Sequence, residues 1–346
     1  MSTTGLIEYI SNTTSASVRD MLAAWMACNP RFHHFVETNK DKIRKKMREC
    51  RSEGDRGDVL WELEIGHLLL KSPDLNIEYE PYGVGKFRSP DYRVSRPGGN
   101  PFNVEARRIR EASSESRFRA WEGNMGEAIR GVPSQVAVTL IIHAMQPDPN
   151  LLDRLESQRD PIKAAILKRI VEADAQLEPE QSCRYPVAGF ERIVALDISR
   201  PTSKANPGPT SYYGGSFPIW FTQREFKKFG DIVCEKLGQL RSGMANLLAI
   251  GSRSSSHDEL DCEDAIGQLA RLATTQDDTF FREKDFEGTA DFLAKFRDLS
   301  GVMFRSSWRG RHAERNFVWT NRDAQHPIDY EMLELLKHLD WDFWGP

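Results

Sequence analysis

Cysteine is scarce and scattered. Cys28, Cys50, Cys183, Cys234 and Cys262 are odd in number and nowhere form a C-x-x-C pair. This pattern argues against a disulfide framework and a structural zinc site, and suits free thiols in a reducing compartment. Long apolar runs are also missing. The longest near-apolar stretch, VAVTLIIHAM (136–145), is about half the length needed to span a bilayer, so no membrane partner is expected. The opening MSTTGLIEYISNTTSAS has neither a basic n-region nor an apolar h-region; no signal peptide and a cytoplasmic location are expected. No excess of positive charge exists either. The formal net charge is −4, so any affinity for nucleic acid must be local. GVGK (83–86) lacks the spacing of a phosphate-binding P-loop, and neither G-x-S-x-G nor G-x-G-x-x-G occurs. Internal repeats and low-complexity tracts are absent.

What is present is an ordinary globular composition over 346 residues, enough for one large domain or two modest ones. Residues 16–50 read as helical and end in the basic stretch NKDKIRKKMRECRSEGDR. DVLWELEIGHLLLKS (58–72) reads as a helix apolar nearly all round, hence buried, yet it carries Glu62 and Glu64. Buried carboxylates require partners. LNIEYEP, VAVTLIIHA, ERIVALDIS (191–199), ANLLAIGS (245–252), SGVMFRSS and RNFVWTN read as strands. Helices are expected at 111–131, from LLDRL to EADAQ with an interruption at Pro161, at TQREFKKFGDIVCEKLGQL, at DCEDAIGQLARL capped by Asp261, and at the C-terminus with Pro327 in its first turn. RPTSKANPGPTSYYGGS (200–216) reads as a loop. The alternation predicts an α/β fold with a mixed central sheet and flanking helices.

The stretch SPDYRVSRPGGNPFNVEARR (89–108) reads as a hairpin around a glycine turn. Strand side chains alternate faces, so Asn103, Glu105 and Arg107 share one face while Phe102, Val104 and Ala106 share the other. With the turn centred at Gly98, Asp91 falls opposite Glu105. Directly opposed carboxylates repel. A hard divalent cation between them, Mg²⁺ or Mn²⁺, converts the repulsion into a binding site.

Helix WELEIGHLLL, strand NIEYEP, strand SPDYRV and strand FNVEARR together resemble the PD-(D/E)XK, or restriction-endonuclease-like, nuclease superfamily. The resemblance implies a restriction-endonuclease-like core within 58–346, preceded by an N-terminal helical extension (1–57) and carrying a large insertion at about 111–215. It implies Glu62 or Glu64, Asp91 and Glu105 as ligands of Mg²⁺ or Mn²⁺, and hydrolysis of phosphodiester bonds in nucleic acid, DNA foremost, in restriction, repair or defence. VCEKLGQL and ANLLAIGS would supply the following helix and strand, with Lys236 and Gln239 on one helix face as supporting residues. The departure is Arg107, which stands where the family has a lysine that orients and activates the attacking water. An arginine, with a pKa above about 12, stays charged: it can stabilise a developing charge but cannot act as general base. Lys86 is the candidate substitute. The alternative implied by this departure is a catalytically degenerate fold that binds nucleic acid or protein.

Two basic stretches complete the picture. Lys45 and Lys46 in the first, and Arg108 and Arg110 in the second, are candidates for gripping a phosphate backbone, or else lie on solvated helix faces. The segment 105–123 also carries Phe118 and Trp121. His257, Asp258 and Asp261 read as a strand-to-helix loop rather than a metal site. The subunit number stays open, a homodimer included.

Overall fold

The computed structural model describes residues 1–11, 16–82, 89–110, 113–142, 150–202, 208–216, 225–252, 257–306 and 316–339. The chain divides into two compact units, one made of 1–110 and 225–346, the other of 111–224.

The first unit begins with helices α1 (Thr3–Ser11), α2 (Ala16–Cys28), α3 (Pro30–Thr38), α4 (Lys40–Glu49) and α5 (Glu53–Leu69). Strands β1 (Asn76–Tyr79), β2 (Tyr92–Ser95) and β3 (Phe102–Arg108) follow. The second unit holds α6 (Ser113–Arg130), β4 (Pro133–Ser134), β5 (Ala137–Ile142), α7 (Leu151–Ser157), α8 (Arg159–Gln176), β6 (Ser182–Pro186), β7 (Val194–Ser199), β8 (Gly208–Pro209) and β9 (Ser211–Ser216). The chain then returns to the first unit with α9 (Glu225–Leu237), β10 (Ala245–Ser252), α10 (Glu259–Thr274), α11 (Asp278–Arg282), α12 (Thr289–Phe296), β11 (Gly301–Ser306), β12 (Phe317–Thr320) and α13 (Tyr330–His338).

The first unit is a mixed α/β structure. Its six described strands run in the order β1-β2-β3-β10-β11-β12. Pairing is antiparallel at β1–β2, β2–β3 and β11–β12, and parallel at β3–β10 and β10–β11. Strand β10 is buried along its whole length, as its apolar sequence requires of a central strand. Its residues alternate between two cores. Leu247 and Ala249, with Val104 and Met303, pack against the helices of 1–69 and against α13. Leu248 and Ile250, with Val302 and Phe304, pack against α9, α10 and α12.

Helix α5 is seated on the first face by close approaches. The Trp61 indole donates to the Ala249 carbonyl (3.2 Å). A Cβ at Gly66 would come within 2.8 Å of the Tyr92 hydroxyl. That hydroxyl donates to the Glu62 carbonyl at 2.7 Å, so β2 and α5 are joined at the turn that carries Glu62.

The second unit has its own core, in which Phe118, Trp121, Val138 and Leu196 take part. Its four described strands run β6-β7-β5-β9, with β5–β9 parallel and the other pairs antiparallel. Phe118 and Trp121 are therefore core residues of this unit, and the Trp121 indole bonds the Leu155 carbonyl (2.9 Å).

Local expectations fail in four places. Helix α5 starts at Glu53, because Ser52 and Asp55 form a reciprocal capping box and recruit the SEGDR stretch. The residues read as a 200–216 loop contain β8 and β9: β9 pairs with the edge of β5 through a bulge, with Gly214 at φ 101°, and such pairing draws on backbone groups that Gly and Pro content does not report. Asp258, not Asp261, caps α10, and Asp261 completes its capping box. Asp329, two residues beyond Pro327, caps α13. Residue 57 lies within α5, and residues 1–110 belong to one unit.

The close approach at Gly66 carries a test. Gly66→Ala should destabilise the protein by about 1–3 kcal/mol, because the added methyl must displace Tyr92 from a packed core. Urea denaturation measures this, and an unchanged midpoint would show that α5 is not seated on Tyr92 in this way.

Candidate functional site

The β2–β3 ladder pairs Val94 with Phe102, Arg93 with Asn103 and Tyr92 with Val104. Continued by one residue, this register sets Asp91 opposite Glu105, with the turn at Gly98 (φ 73°). The ladder stops at that point. In its place the Asp91 carboxylate accepts the Ala106 N–H at 2.9 Å, which fixes one oxygen and leaves the other turned outward.

That outward oxygen meets a lysine. Lys46 on α4 places its ammonium 2.7 Å from Glu62 Oε1, 3.0 Å from Glu80 Oε1 and 3.8 Å from Asp91 Oδ1. Glu80 follows β1 and holds a left-handed backbone at φ 46°, uncommon for a residue with a side chain. Its N–H bonds the Asp91 carbonyl (2.8 Å), which ties the strained residue to the hairpin. Glu105 is held by a second ammonium, that of Lys236 on α9, at 2.6 Å. Lys236 also donates to Gln239 (2.9 Å). Glu62, Glu105 and Lys236 are all buried. Parallel pairing with β10 puts Glu105 on the face of Leu248, covered by α9, while α5 covers the opposite face. The carboxylates thus approach one another around the point where β2 begins.

Burial and mutual repulsion set the proton affinities. Loss of hydration, then the charge of Asp91, pushes Glu62 up to about 7. Loss of hydration, then the charge of Glu105, pushes Asp91 up to about 7 as well, against the pull of Lys46. Glu105 is raised by burial, and Lys236 opposes the shift. Lys46 moves the other way to a buried amine: its carboxylate neighbours outweigh desolvation and raise it, so it remains an ammonium. Fully ionised, four carboxylates face the two ammonium groups of Lys46 and Lys236, an excess of two negative charges that the exposed Lys42, 3.8 Å from Glu80, reduces to one.

The remaining candidates lie at varied distances from this cluster. Glu64 belongs elsewhere: burial pulls the Arg305 guanidinium on β11 down to about 10, and the charge of Glu64 opposes that pull. Arg107 spans two helices, 3.4 Å from Asp58 on α5 and 3.3 Å from Glu235 on α9. Arg108 meets the Gly54 carbonyl (3.2 Å) and Asp58 (3.5 Å). Arg110 binds Asp55 and Asp58. Lys45 is exposed, 4.0 Å from Glu49. Lys86 lies outside the described residues. Glu80 and the cluster role of Lys46 escaped sequence reading, because a left-handed turn at a glutamate and a contact between α4 and α5 leave no periodic mark.

The donor set is all-carboxylate, which suits a hard divalent cation, and the Lys46 ammonium sits among three of the donors as a stand-in cation. As arranged, no three acidic, histidine or cysteine side chains among the described residues gather as a metal-binding group. The two ammonium groups hold the carboxylates instead.

Two outcomes follow from these charges. With Glu62 and Asp91 raised from 4.5 and 3.8 to about 7, the folded state binds more protons than the unfolded state between those values. Their contribution to stability is therefore complete below about pH 4 and is lost as pH rises through about 7. Asp91→Asn removes one such group. In EDTA its stability relative to the wild type should improve from pH 5 to pH 8, by at most about 1.4 kcal/mol per pH unit. Urea titrations at both values test this, and parallel pH profiles would contradict it. Lys236→Met strands the Glu105 charge and should cost about 3–5 kcal/mol at pH 8, with a smaller loss at pH 5, because burial raises the proton affinity of Glu105 and removal of the opposing Lys236 charge raises it further. An equal loss at both pH values would mean that packing, not charge, is what Lys236 supplies.

Comparison with protein-family models, with curated proteins and with solved structures finds no match to this chain.

Proposed function

We propose that the protein is a metal-dependent hydrolase of phosphodiester bonds in nucleic acid, DNA foremost, built on a restriction-endonuclease-like core. The observation that carries the reading is that the buried helix acid Glu62 and the hairpin acid Asp91 face the same Lys46 ammonium, with Glu105 close enough for its charge to raise the proton affinity of Asp91. The order of elements supports it: α5, β1, β2 and β3, then α9 and β10, with β10 parallel to β3 and the 111–224 unit between β3 and α9. Glu62, Asp91 and Glu105 would hold the cation, Mg²⁺ or Mn²⁺. Bound there, it would supply Lewis acidity towards the phosphate and lower the pKa of the attacking water.

The chain's own groups have separate tasks in this reading. The Ala106 N–H orients the Asp91 carboxylate, and Lys236, steadied by Gln239, orients Glu105. Arg107, a quarter exposed at the strand end, supplies a fixed positive charge for the phosphate oxygens. Arg108 and Arg110 already satisfy acidic partners, so phosphate contact by them would require exchange of those partners.

A second reading is a catalytically degenerate fold that binds nucleic acid or protein. It is favoured by the two ammonium groups that hold the carboxylates and by the engagement of Arg107 with Asp58 and Glu235. Incubation with supercoiled plasmid and with single-stranded DNA, in Mg²⁺, Mn²⁺ and EDTA, separates the two. The expected outcome is metal-dependent cutting that falls at least about 100-fold in Asp91→Asn and Glu105→Gln, a loss of about 2.7 kcal/mol of barrier lowering. DNA retention without cutting would overturn the hydrolase in favour of the second reading.

A further inference from the structure

The strongest unexplained feature is Lys46. It comes from α4, outside the helix and strands that supply Glu62, Asp91 and Glu105, yet its ammonium lies 2.7, 3.0 and 3.8 Å from three separate carboxylates. One of these, Glu80, is held there by a strained backbone at φ 46° and by its N–H bond to Asp91. A strained position at a functional cluster is retained where the surrounding structure requires that side chain. A second, independent observation points at the same place. The Tyr79 hydroxyl is buried against the Glu62 carboxylate, with which it interacts without good hydrogen-bond alignment, and the Lys46 ammonium lies 5.0 Å from the centre of the Tyr79 ring. A buried hydroxyl so poorly satisfied is a contact that a further occupant of the cluster can complete.

We infer that Glu62, Glu80 and Asp91 form a cation pocket whose resident is the Lys46 ammonium, and that a divalent cation and Lys46 exclude each other from it. This rests on the proposed hydrolase reading only for the identity of the ion. It adds Glu80 as a ligand and makes Lys46 an exchangeable counter-cation. The physical reasons are charge and reach. Three carboxylates around one monovalent group leave negative charge uncompensated, and a divalent ion compensates more of it in the same space. Lys46 is only partly buried, with a quarter of its side chain exposed, and its flexible four-carbon stem lets the ammonium swing into water or towards an incoming phosphate. Lys42, 3.8 Å from Glu80, stands at the rim and would still screen that carboxylate after the exchange.

The test uses the full chain and the metal alone. Thermal unfolding and calorimetric titration with Mn²⁺ and with Ca²⁺ are carried out on the wild type, Lys46→Met, Lys46→Arg and Glu80→Gln. Lys46→Met should unfold at a lower temperature than the wild type in EDTA. It should then gain more from added ion and bind it on the order of tenfold more tightly, a difference of about 1.4 kcal/mol. Lys46→Arg keeps the competing charge and should bind the ion as the wild type does. Glu80→Gln should bind it several-fold more weakly in a background that keeps Lys46, so that a poorly folded methionine variant does not leave the matter open. Ion affinity unchanged in both Lys46→Met and Glu80→Gln would overturn the inference. Tighter binding in Lys46→Met, without DNA cutting by any form, would support the exchange while removing the hydrolase. Cutting by the wild type with no competition at Lys46 would do the reverse.

Discussion

Four carboxylates and two ammonium groups share a small buried region, and the imbalance between them organises the structure around it. Each charge has to be met where little water reaches, and the fold does so from several directions. Helix α4 contributes Lys46, α5 contributes Glu62, the turn after β1 contributes Glu80, and α9 contributes Lys236. The Ala106 N–H takes one oxygen of Asp91 where the β2–β3 ladder ends. None of these partners is close in sequence to the group it satisfies. The cluster therefore exists only when helices on both faces of the sheet have docked.

The same imbalance connects stability with chemistry. A well-compensated buried network serves to fix a unique arrangement, whereas one with excess negative charge has an unfilled demand for protons or cations. Raised proton affinities at Glu62 and Asp91 express that demand. The arginines of the second basic stretch express the opposite situation. Arg107, Arg108 and Arg110 meet Asp55, Asp58 and Glu235 at the end of β3, a compensated surface network that ties α5 and α9 to the strand.

Much of the architecture was legible because its signals are local or periodic. The apolar run of 245–252 reads as a central strand, and β10 is buried throughout. The alternation of 102–107 separates Glu105 from Val104, and the glycine at 98 gives the hairpin register that brings Asp91 opposite Glu105. Where the reading failed, a side chain or an edge had overridden composition. Ser52 and Asp55 begin a helix in a stretch rich in charge and glycine, and β9 pairs along β5 despite Pro and Gly nearby.

The sequence by itself determined the alternation of strands and helices, the hairpin, and the presence of acids on a helix and two strands that hydration alone would not hold inside. Only the tertiary structure decided which acids meet. Glu62 turns to the cluster and Glu64 towards Arg305, Glu80 joins through a left-handed backbone, and a lysine from α4 takes the central place. The reason is that periodicity specifies which way a side chain leaves its own element, while the partner it finds depends on long-range docking, which a local pattern does not encode.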